Sequence, residues 1–414
     1  MIQKENNFDV AVIGGGPAGL IAAGRAGELG KKVVLLEKNE KLGKKLLLTG
    51  AGRCNITNAE FNLRKLVENY GKNGRFLFHA FSLFGPKEVI KFFEDQGLKT
   101  KIERGQRVFP LSDKALDVLK TLTQYLAKGK VTTLYNSKVI KVVSRNHQIQ
   151  KLILKDSEIS AKNYIFCTGG KSYPGTGSTG EGLEWAEELG HTIKDLSPVL
   201  VPIKIREGWI KELQGLSLKN VAIRISQKGQ KQTSRFGECL FTHFGLSGPI
   251  ILDISKEVGQ LLKTGQVRMS LDLKPALDFE TLDNRLQRDF QKYQNKSFKN
   301  GLGDLLPRKM IPVIIKLSGI NPEKKINILT KEERTNLVKL LKNLEMTSIG
   351  LLDFDQAIAT TGGVSLSEIN DKTMRSKIID NLFFAGEMID VDGPTGGFNL
   401  QVCWSTGRLA GENA

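Results

Sequence analysis

The segment Phe8–Glu37, FDVAVIGGGPAGLIAAGRAGELGKKVVLLE, restricts the possible folds of this chain more than any other. The apolar run Phe8 to Ile13 predicts a strand, and Gly14, Gly16 and Gly19 mark the turn that follows. A helix to about Leu29 comes next, then a second strand, Lys32 to Leu36, ending in Glu37. This is the βαβ opening of a dinucleotide-binding sheet. Gly14 permits the tight turn, Gly16 lets backbone approach a pyrophosphate, and Gly19 lets the helix pack on the strand. The helix N-terminus then directs its free amides and dipole at the phosphates. Glu37, 18 positions after Gly19, is placed to accept hydrogen bonds from an adenosine ribose. Its charge would repel a 2′-phosphate, which selects FAD or NAD over NADP.

Two later stretches favour FAD. Asn163–Gly170, NYIFCTGG, predicts a buried strand running into Thr168, Gly169 and Gly170, where the domain returns beside its cofactor. Asn381–Glu387, NLFFAGE, is a strand ending in Gly386 and Glu387, followed by GPTGGFNLQ and a helix from about Asn399. An acidic residue there suits a ribityl chain, and the helix N-terminus would stabilise an anionic reduced flavin. The dinucleotide domain is therefore expected to use both ends of the chain. A second glycine run, Gly175, Gly177 and Gly180, is not read as a separate nicotinamide fold. Its strand ends too early, at Thr168, and no second strand with a terminal acid follows. NAD(P)H is then expected only as a transient electron donor against a tightly held FAD.

At 414 residues the chain exceeds the roughly 250 to 300 at which single cores stop growing. The expected division is 1–195 for the first part of the FAD domain, 196–275 for a small antiparallel barrel, and 276–345 for a helical bundle. Residues 346–357 return to the barrel and 358–414 complete the FAD domain. The barrel is read from VPIKI (Val201–Ile205), NVAIRIS (Asn220–Ser226) and QVRMSLDL (Gln266–Leu273). The bundle is read from Phe279, Leu282, Leu286 and Phe290, and from a Thr330/Glu333 capping box ahead of Leu337, Leu340, Leu341 and Leu344. The fold class is thus α/β, a Rossmann-like domain interrupted by an insert.

The 61 Lys and Arg against 44 Asp and Glu give a formal charge of +17. Part of the surplus gathers in the insert. Lys204, Arg206, Lys211, Lys219, Arg224, Lys228, Lys231 and Arg235 stand against Glu207 and Glu212. Further on, Arg285, Arg288, Lys292, Lys296, Lys299, Arg308, Lys309 and Lys316 face only Asp289 and Asp304. Such stretches suit a polyanion. Cys54, Cys167, Cys239 and Cys403 form no CxxC pair or zinc spacing, so a reducing, cytoplasmic setting without metal is expected. No apolar run suits a membrane span, and no signal-peptide pattern opens the sequence.

Six motifs carry a resemblance across nearly the whole chain. They are TGAGRCNITN (Thr49–Asn58, after Lys44 and Lys45), RVFPLSDKA (Arg107–Ala115), TGGKSYPGTGSTGEG (Thr168–Gly182), LFTHFGLSGP (Leu240–Pro249), TTGGV (Thr360–Val364) and GEMIDVDGPTGGFNLQ (Gly386–Gln401). The sequence resembles the BaiN/RdsA-like NAD(P)/FAD-dependent flavoproteins, which include bacterial ribosomal RNA dihydrouridine synthases. The resemblance implies an FAD domain interrupted by a barrel and a helical bundle, with the TGAGRCNITN and GGFN loops facing the flavin. The expected FAD-binding set is then Gly14, Gly16, Pro17, Ala18, Gly19, Glu37, Lys38, Lys44, Thr49, Gly52, Arg53, Asn55, Thr168, Gly169, Gly170, Gly386, Glu387, Gly397, Phe398, Asn399 and Leu400.

By analogy, the expected reaction reduces the C5=C6 bond of a uridine in ribosomal RNA, bound through the basic insert. Hydride goes to C6 and an acid protonates C5. Cys54 is the candidate acid, because neighbouring Arg53 would lower its pKa; a small buried cysteine is the plainer alternative. Tyr173 and His243 are candidate substrate contacts, against the simpler readings of a cofactor cover and a structural histidine. Other readings stay open: an amine oxidase, an enone reductase with an apolar pocket, or a non-catalytic flavin-containing RNA-binding factor.

Overall fold

The computed structural model describes residues 7–227 and 233–414, so Lys228 and Lys231 lie outside the described residues. Two compact units divide the chain: unit 1 takes in the sequence up to Val199 together with Phe354–Ala414, and unit 2 is Leu200–Asp353.

In unit 1, β1 (Asn7–Ile13) lies parallel to β2 (Val33–Leu36), with Val10 against Val33 and Ile13 against Leu36. All four residues of β2 are buried, as a strand covered on both faces requires. A short excursion follows: α2 (Lys44–Leu48), the antiparallel strands β3 (Thr57–Asn58), β4 (Thr100–Glu103) and β5 (Arg107–Pro110), and helices α3 (Leu63–Glu68), α4 (Phe78–Leu83) and α5 (Pro86–Asp95). After α6 (Ala115–Lys128), the chain re-enters the main sheet as β6 (Thr132–Leu134), β7 (Val139–Arg145), β8 (Gln148–Leu154) and β9 (Glu158–Phe166). The order is β6-β2-β1-β9-β8-β7. β9 is parallel to β1, Ile13 against Phe166. From the far end of the chain, β18 (Leu382–Phe384) joins β9 in parallel, Phe384 against Phe166. After α7 (Glu181–Glu188), β10 (Ile193–Val199) runs antiparallel to β17 (Ala359–Val364).

Small residues set how closely the two ends meet. Helix α1 (Pro17–Glu28) lies against α12 (Phe398–Asn413). A Cβ on Gly407 would strike the Ala18 carbonyl, and one on Gly411 the Ala22 carbonyl. Larger side chains would push α12 off the helix that carries the glycine turn.

Unit 2 holds a closed barrel, β11-β14-β13-β12-β15-β16, formed by β11 (Ile203–Ile205), β12 (Ser217–Ser226), β13 (Thr233–Phe241), β14 (Gly245–Ser247), β15 (Val267–Asp272) and β16 (Leu344–Leu351). Alternation builds its interior: Val267, Met269 and Leu271 are buried while Arg268 between them is exposed. Helices α8 (Pro249–Leu262), α9 (Phe279–Lys292), α10 (Ile311–Ser318) and α11 (Lys331–Lys342) share its hydrophobic core. The capping box forms, with the Glu333 amide donating to Thr330 Oγ1 at 3.1 Å and the Thr330 amide to Glu333 Oε2 at 2.7 Å. Lys342 Nζ reaches Asp272 Oδ2 at 2.8 Å inside the core, tying α11 to β15.

Two expectations for this unit need correction. Phe279 is 55% exposed, because it is the first residue of α9 and faces away from the apolar stripe. Leu344 does not continue α11: the helix ends at Lys342 and Leu344 opens β16. Among the described residues, no helix is long and apolar enough to cross a membrane, and no group of three or more His, Cys, Asp and Glu could hold a metal.

Candidate functional site

A cavity enclosing about 1300 Å³, its open mouth included, lies in unit 1 along the carboxyl ends of β1, β2 and β9. From the glycine turn come Gly14, Gly16, Pro17 and Ala18; from the end of β2, Glu37 and Lys38; from α2 and its exit, Lys44 and Thr49. Thr168 and Gly169 follow β9, and Glu387, Asn399 and Leu400 arrive from the C-terminal segment. Gly16 caps α1 without any side-chain hydrogen bond, and Gly397 caps α12 in the same way. Both helices thus direct first-turn amides toward the cavity end without a competing side chain.

The Glu37 carboxylate is buried. Its Oε2 accepts from the Gly15 amide at 2.9 Å and its Oε1 from the Asn39 amide at 2.8 Å, which hold it at the wall. Opposite charges meet at the other side: Lys45 Nζ lies 2.7 Å from Glu387 Oε2. Glu387 Oε1 accepts from the Thr360 amide at 2.7 Å. Cys403 also lines the wall, and burial followed by the nearby Glu387 charge pushes its thiol up to about 12. Asn399 braces the loop ahead of α12, its Nδ2 donating to the Gly393 carbonyl at 2.8 Å.

Other expected residues lie behind the wall. A Cβ on Gly19 would strike the Gly14 carbonyl, one on Gly170 the Thr360 side chain, and one on Gly397 the Thr57 backbone; one on Gly386 would meet the Ala18 Cβ. These glycines permit close packing and do not face the cavity. Phe398 is buried edge-on against Tyr70. Gly52 is exposed, and neither it nor Asn55 lines the cavity.

The Arg53–Cys54 expectation is reversed. Burial pushes the Cys54 thiol up to about 12, and the side chain is wholly inside the core, off the cavity wall. Arg53 turns the other way: its guanidinium sits 4.0 Å from the Phe109 ring centroid and pairs with Glu103 and Asp113, each at 2.5 Å. Cys54 adopts φ 59°, so the two neighbours point to opposite sides of the loop. Arg53 is therefore neither a phosphate ligand on this wall nor a cation beside the thiol. Tyr173 is half-buried with its amide donating to the Phe354 carbonyl at 3.0 Å, and is not on the wall. His243 belongs to unit 2, exposed between β13 and β14 and edge-on to Phe244.

Several wall residues escaped the sequence reading. Lys45 is one. The second glycine run is another: Thr176, Gly177, Ser178, Thr179 and Gly180 line this same cavity. Lys38 Nζ donates to Thr179 Oγ1 at 2.7 Å and Glu181 Oε2 at 2.9 Å, closing that side. The GxGxxG spacing was the available signal. β10, which follows α7, pairs antiparallel with β17, so no second βαβ unit exists there.

A glycine turn, an acid ending the second strand and two uncapped helix N-termini on one cavity fit FAD. A Cβ on Gly16 would meet nothing within 4 Å, which leaves its backbone open to a ligand. The chain is an oxidoreductase of the Rossmann-like FAD-binding class. It belongs to the HI0933-like family, whose Rossmann-domain model matches residues 8–413.

Three relatives match over nearly their whole length. The 3-dehydro-bile acid delta(4,6)-reductase of Clostridium scindens is 30% identical over 98% of both chains. The ribosomal RNA dihydrouridine synthase of Escherichia coli is 30% identical over 96% of both. That of Haemophilus influenzae is 31% identical over 98% of this chain and 97% of its own. Among solved structures, a flavocytochrome c3 fumarate reductase superposes with a TM-score of 0.53 at 16% identity, covering 99% of this chain and 78% of that one. A 3-ketosteroid delta1-dehydrogenase from Sterolibacterium denitrificans gives 0.52 at 13%, covering 98% and 99%. These two likenesses concern the fold.

Proposed function

We propose that this protein reduces the C5=C6 bond of a uridine in ribosomal RNA to dihydrouridine, drawing electrons from NAD(P)H through FAD. The observation that carries the reading is full-length similarity to two proteins named as ribosomal RNA dihydrouridine synthases, at 30% and 31% identity. The basic stretches of unit 2 support it, since a polyanionic substrate rewards them.

In this reading, Gly14, Gly16, Pro17 and Ala18 would hold the pyrophosphate at the α1 N-terminus. Glu37 would take the adenosine ribose, with Lys38 beside it. Glu387 would take the ribityl chain, and the α12 amides at Asn399 and Leu400 would offer donors to the flavin. Bound and reduced, FAD supplies a hydride equivalent to an electron-poor double bond. The free amides at the α12 N-terminus would supply positive potential that favours negative charge on the bound flavin.

A second reading, reduction of a small conjugated enone, is favoured by full-length similarity to the bile acid reductase at 30% identity. The two readings share one chemistry, addition of hydride to a C=C bond conjugated with a carbonyl. The test reduces the purified flavoprotein with NADH or NADPH, then adds either ribosomal RNA lacking dihydrouridine or a steroid 4,6-dien-3-one. Flavin reoxidation with dihydrouridine formed in the RNA supports the first reading. Reoxidation by the dienone alone replaces it with the second.

A further inference from the structure

Unit 2 carries a second cavity, an open groove of about 1130 Å³ with its mouth included. One wall is α10, contributing Ile311, Pro312, Ile315 and Lys316. The other is the segment Gly319–Pro322, held against the turn at Lys299 and Asn300. That wall is braced by backbone: the Lys299 amide donates to the Pro322 carbonyl at 3.1 Å, and the Phe298 amide to the Lys324 carbonyl at 2.8 Å. Ile315 and Ile320 are buried at the floor, while Pro312 and Pro322 are exposed at the rims. Asn300 and Asn321 also line the groove, and Asn321 Oδ1 accepts from the Glu323 amide at 2.9 Å.

Basic residues outnumber acidic ones in the segment that forms this slot. Between Lys292 and Lys325, eight basic residues stand against Asp304 and Glu323 alone. The two lysines on the groove itself, Lys299 and Lys316, pair with Glu323 and Glu212. Exposed pairs of this kind contribute about 0 to 1 kcal/mol, so a phosphate can displace either carboxylate. Nearby in sequence, Lys296 lies over the Tyr293 ring at 4.3 Å, and Lys325 Nζ donates to the Asn295 carbonyl at 3.0 Å.

An apolar slot floored by Ile315 and Ile320, with Lys299 on one wall and Lys316 on the other for flanking phosphates, suits a nucleotide in a strand. We infer that this groove is a binding site for single-stranded RNA, seating one unstacked base with its phosphates on Lys299 and Lys316. The inference rests on the RNA reading above and adds a second contact surface to it.

The test uses the full-length, FAD-loaded protein and a fluorescein-labelled oligouridylate, followed by anisotropy across salt. Lys299→Glu with Lys316→Glu should weaken binding about tenfold or more, and neutral Lys299→Gln with Lys316→Gln should do so less strongly. Losing two phosphate contacts should make the slope of log affinity on log salt shallower by about 1.4. A control with the same charge change elsewhere in unit 2, Lys263→Glu with Lys331→Glu, should cost less than about threefold. A far-ultraviolet circular dichroism spectrum and a thermal unfolding midpoint like those of the wild type show that each variant folds. Competition by free uridine monophosphate as effective as the oligonucleotide would assign the slot to mononucleotides and overturn the strand assignment. If the wild type binds RNA and restores dihydrouridine in a strain lacking the gene, yet the charge-reversed groove binds within about threefold of it, the groove is wrong and the RNA reading stands. If the wild type neither binds RNA nor restores dihydrouridine, both fall.

Discussion

Lys45 Nζ and Glu387 Oε2 lie 2.7 Å apart although 342 residues separate them in sequence. The pair joins the N-terminal excursion of unit 1 to the strand that returns from the C-terminus. It also fixes one wall of the cavity assigned to FAD. Glu387→Ala should lower FAD affinity by about tenfold or more, since it removes a partly buried charge-assisted hydrogen bond. Glu387→Gln should retain more flavin. Visible absorbance of the purified proteins reads both, and full flavin content in Glu387→Ala would remove this residue from the site.

The glycines separate packing from ligand access. Gly411→Val places branched carbons against the Ala22 carbonyl and should destabilise by about 1–3 kcal/mol through overpacking. Gly16→Ala meets no neighbouring atom and leaves φ at −83°, so thermal stability without flavin should hold while FAD affinity falls. Equal loss of stability in both would contradict the division.

Thr360 links two loops behind the wall. Its Oγ1 accepts from the Lys171 amide at 2.8 Å and the Ser172 amide at 3.1 Å, and meets Ser172 Oγ at 2.8 Å. Its own amide holds Glu387. Thr360→Val leaves the two amides without their acceptor and should cost about 1–3 kcal/mol in denaturant unfolding. Thr360→Ser keeps the oxygen and should recover most of that stability. Identical behaviour of the two variants would show that the hydroxyl is not the link.

Buried His191 makes stability depend on pH. Its Nδ1 faces the Ala186 carbonyl at 3.1 Å and its Nε2 meets Ser376 Oγ at 2.7 Å, while Ser376 Oγ accepts from the Ile378 and Ile379 amides at 3.0 and 2.9 Å. Burial holds its pKa below the ordinary value of 6.5. The unfolded chain therefore binds this proton first. Its contribution is fully present above about pH 6.5 and is lost as pH falls toward the lower folded value. Urea midpoints should drop on acidification through that window, and His191→Gln should flatten the dependence. An unchanged slope in the variant would assign the effect elsewhere.

What could be read from the sequence follows the range of the interactions. Gly14, Gly16, Gly19 and Glu37 lie within one βαβ segment, where strand and helix periodicity fix their relative places. Glu387 and the α12 N-terminus were legible for the same reason, each being tied to its own strand or glycine loop. Lys45 and the Thr176–Gly180 loop reach the cavity, and Thr360 braces its wall from behind, through partners 137 to 342 residues away, a proximity that one sequence does not encode locally. Cys54 misled because adjacency suggested electrostatic contact. A left-handed backbone turned the thiol into the core and left Arg53 to Phe109, Glu103 and Asp113. Leu344 misled because its helical spacing after Leu341 continues past the last turn of α11.

The most direct test of the proposed activity is mass spectrometry of nucleosides from ribosomal RNA in a strain lacking this gene, beside the same strain carrying it again. The account predicts that dihydrouridine disappears from ribosomal RNA and returns with the wild-type gene, but not with Glu387→Ala. Dihydrouridine at the same level with and without the gene would contradict it.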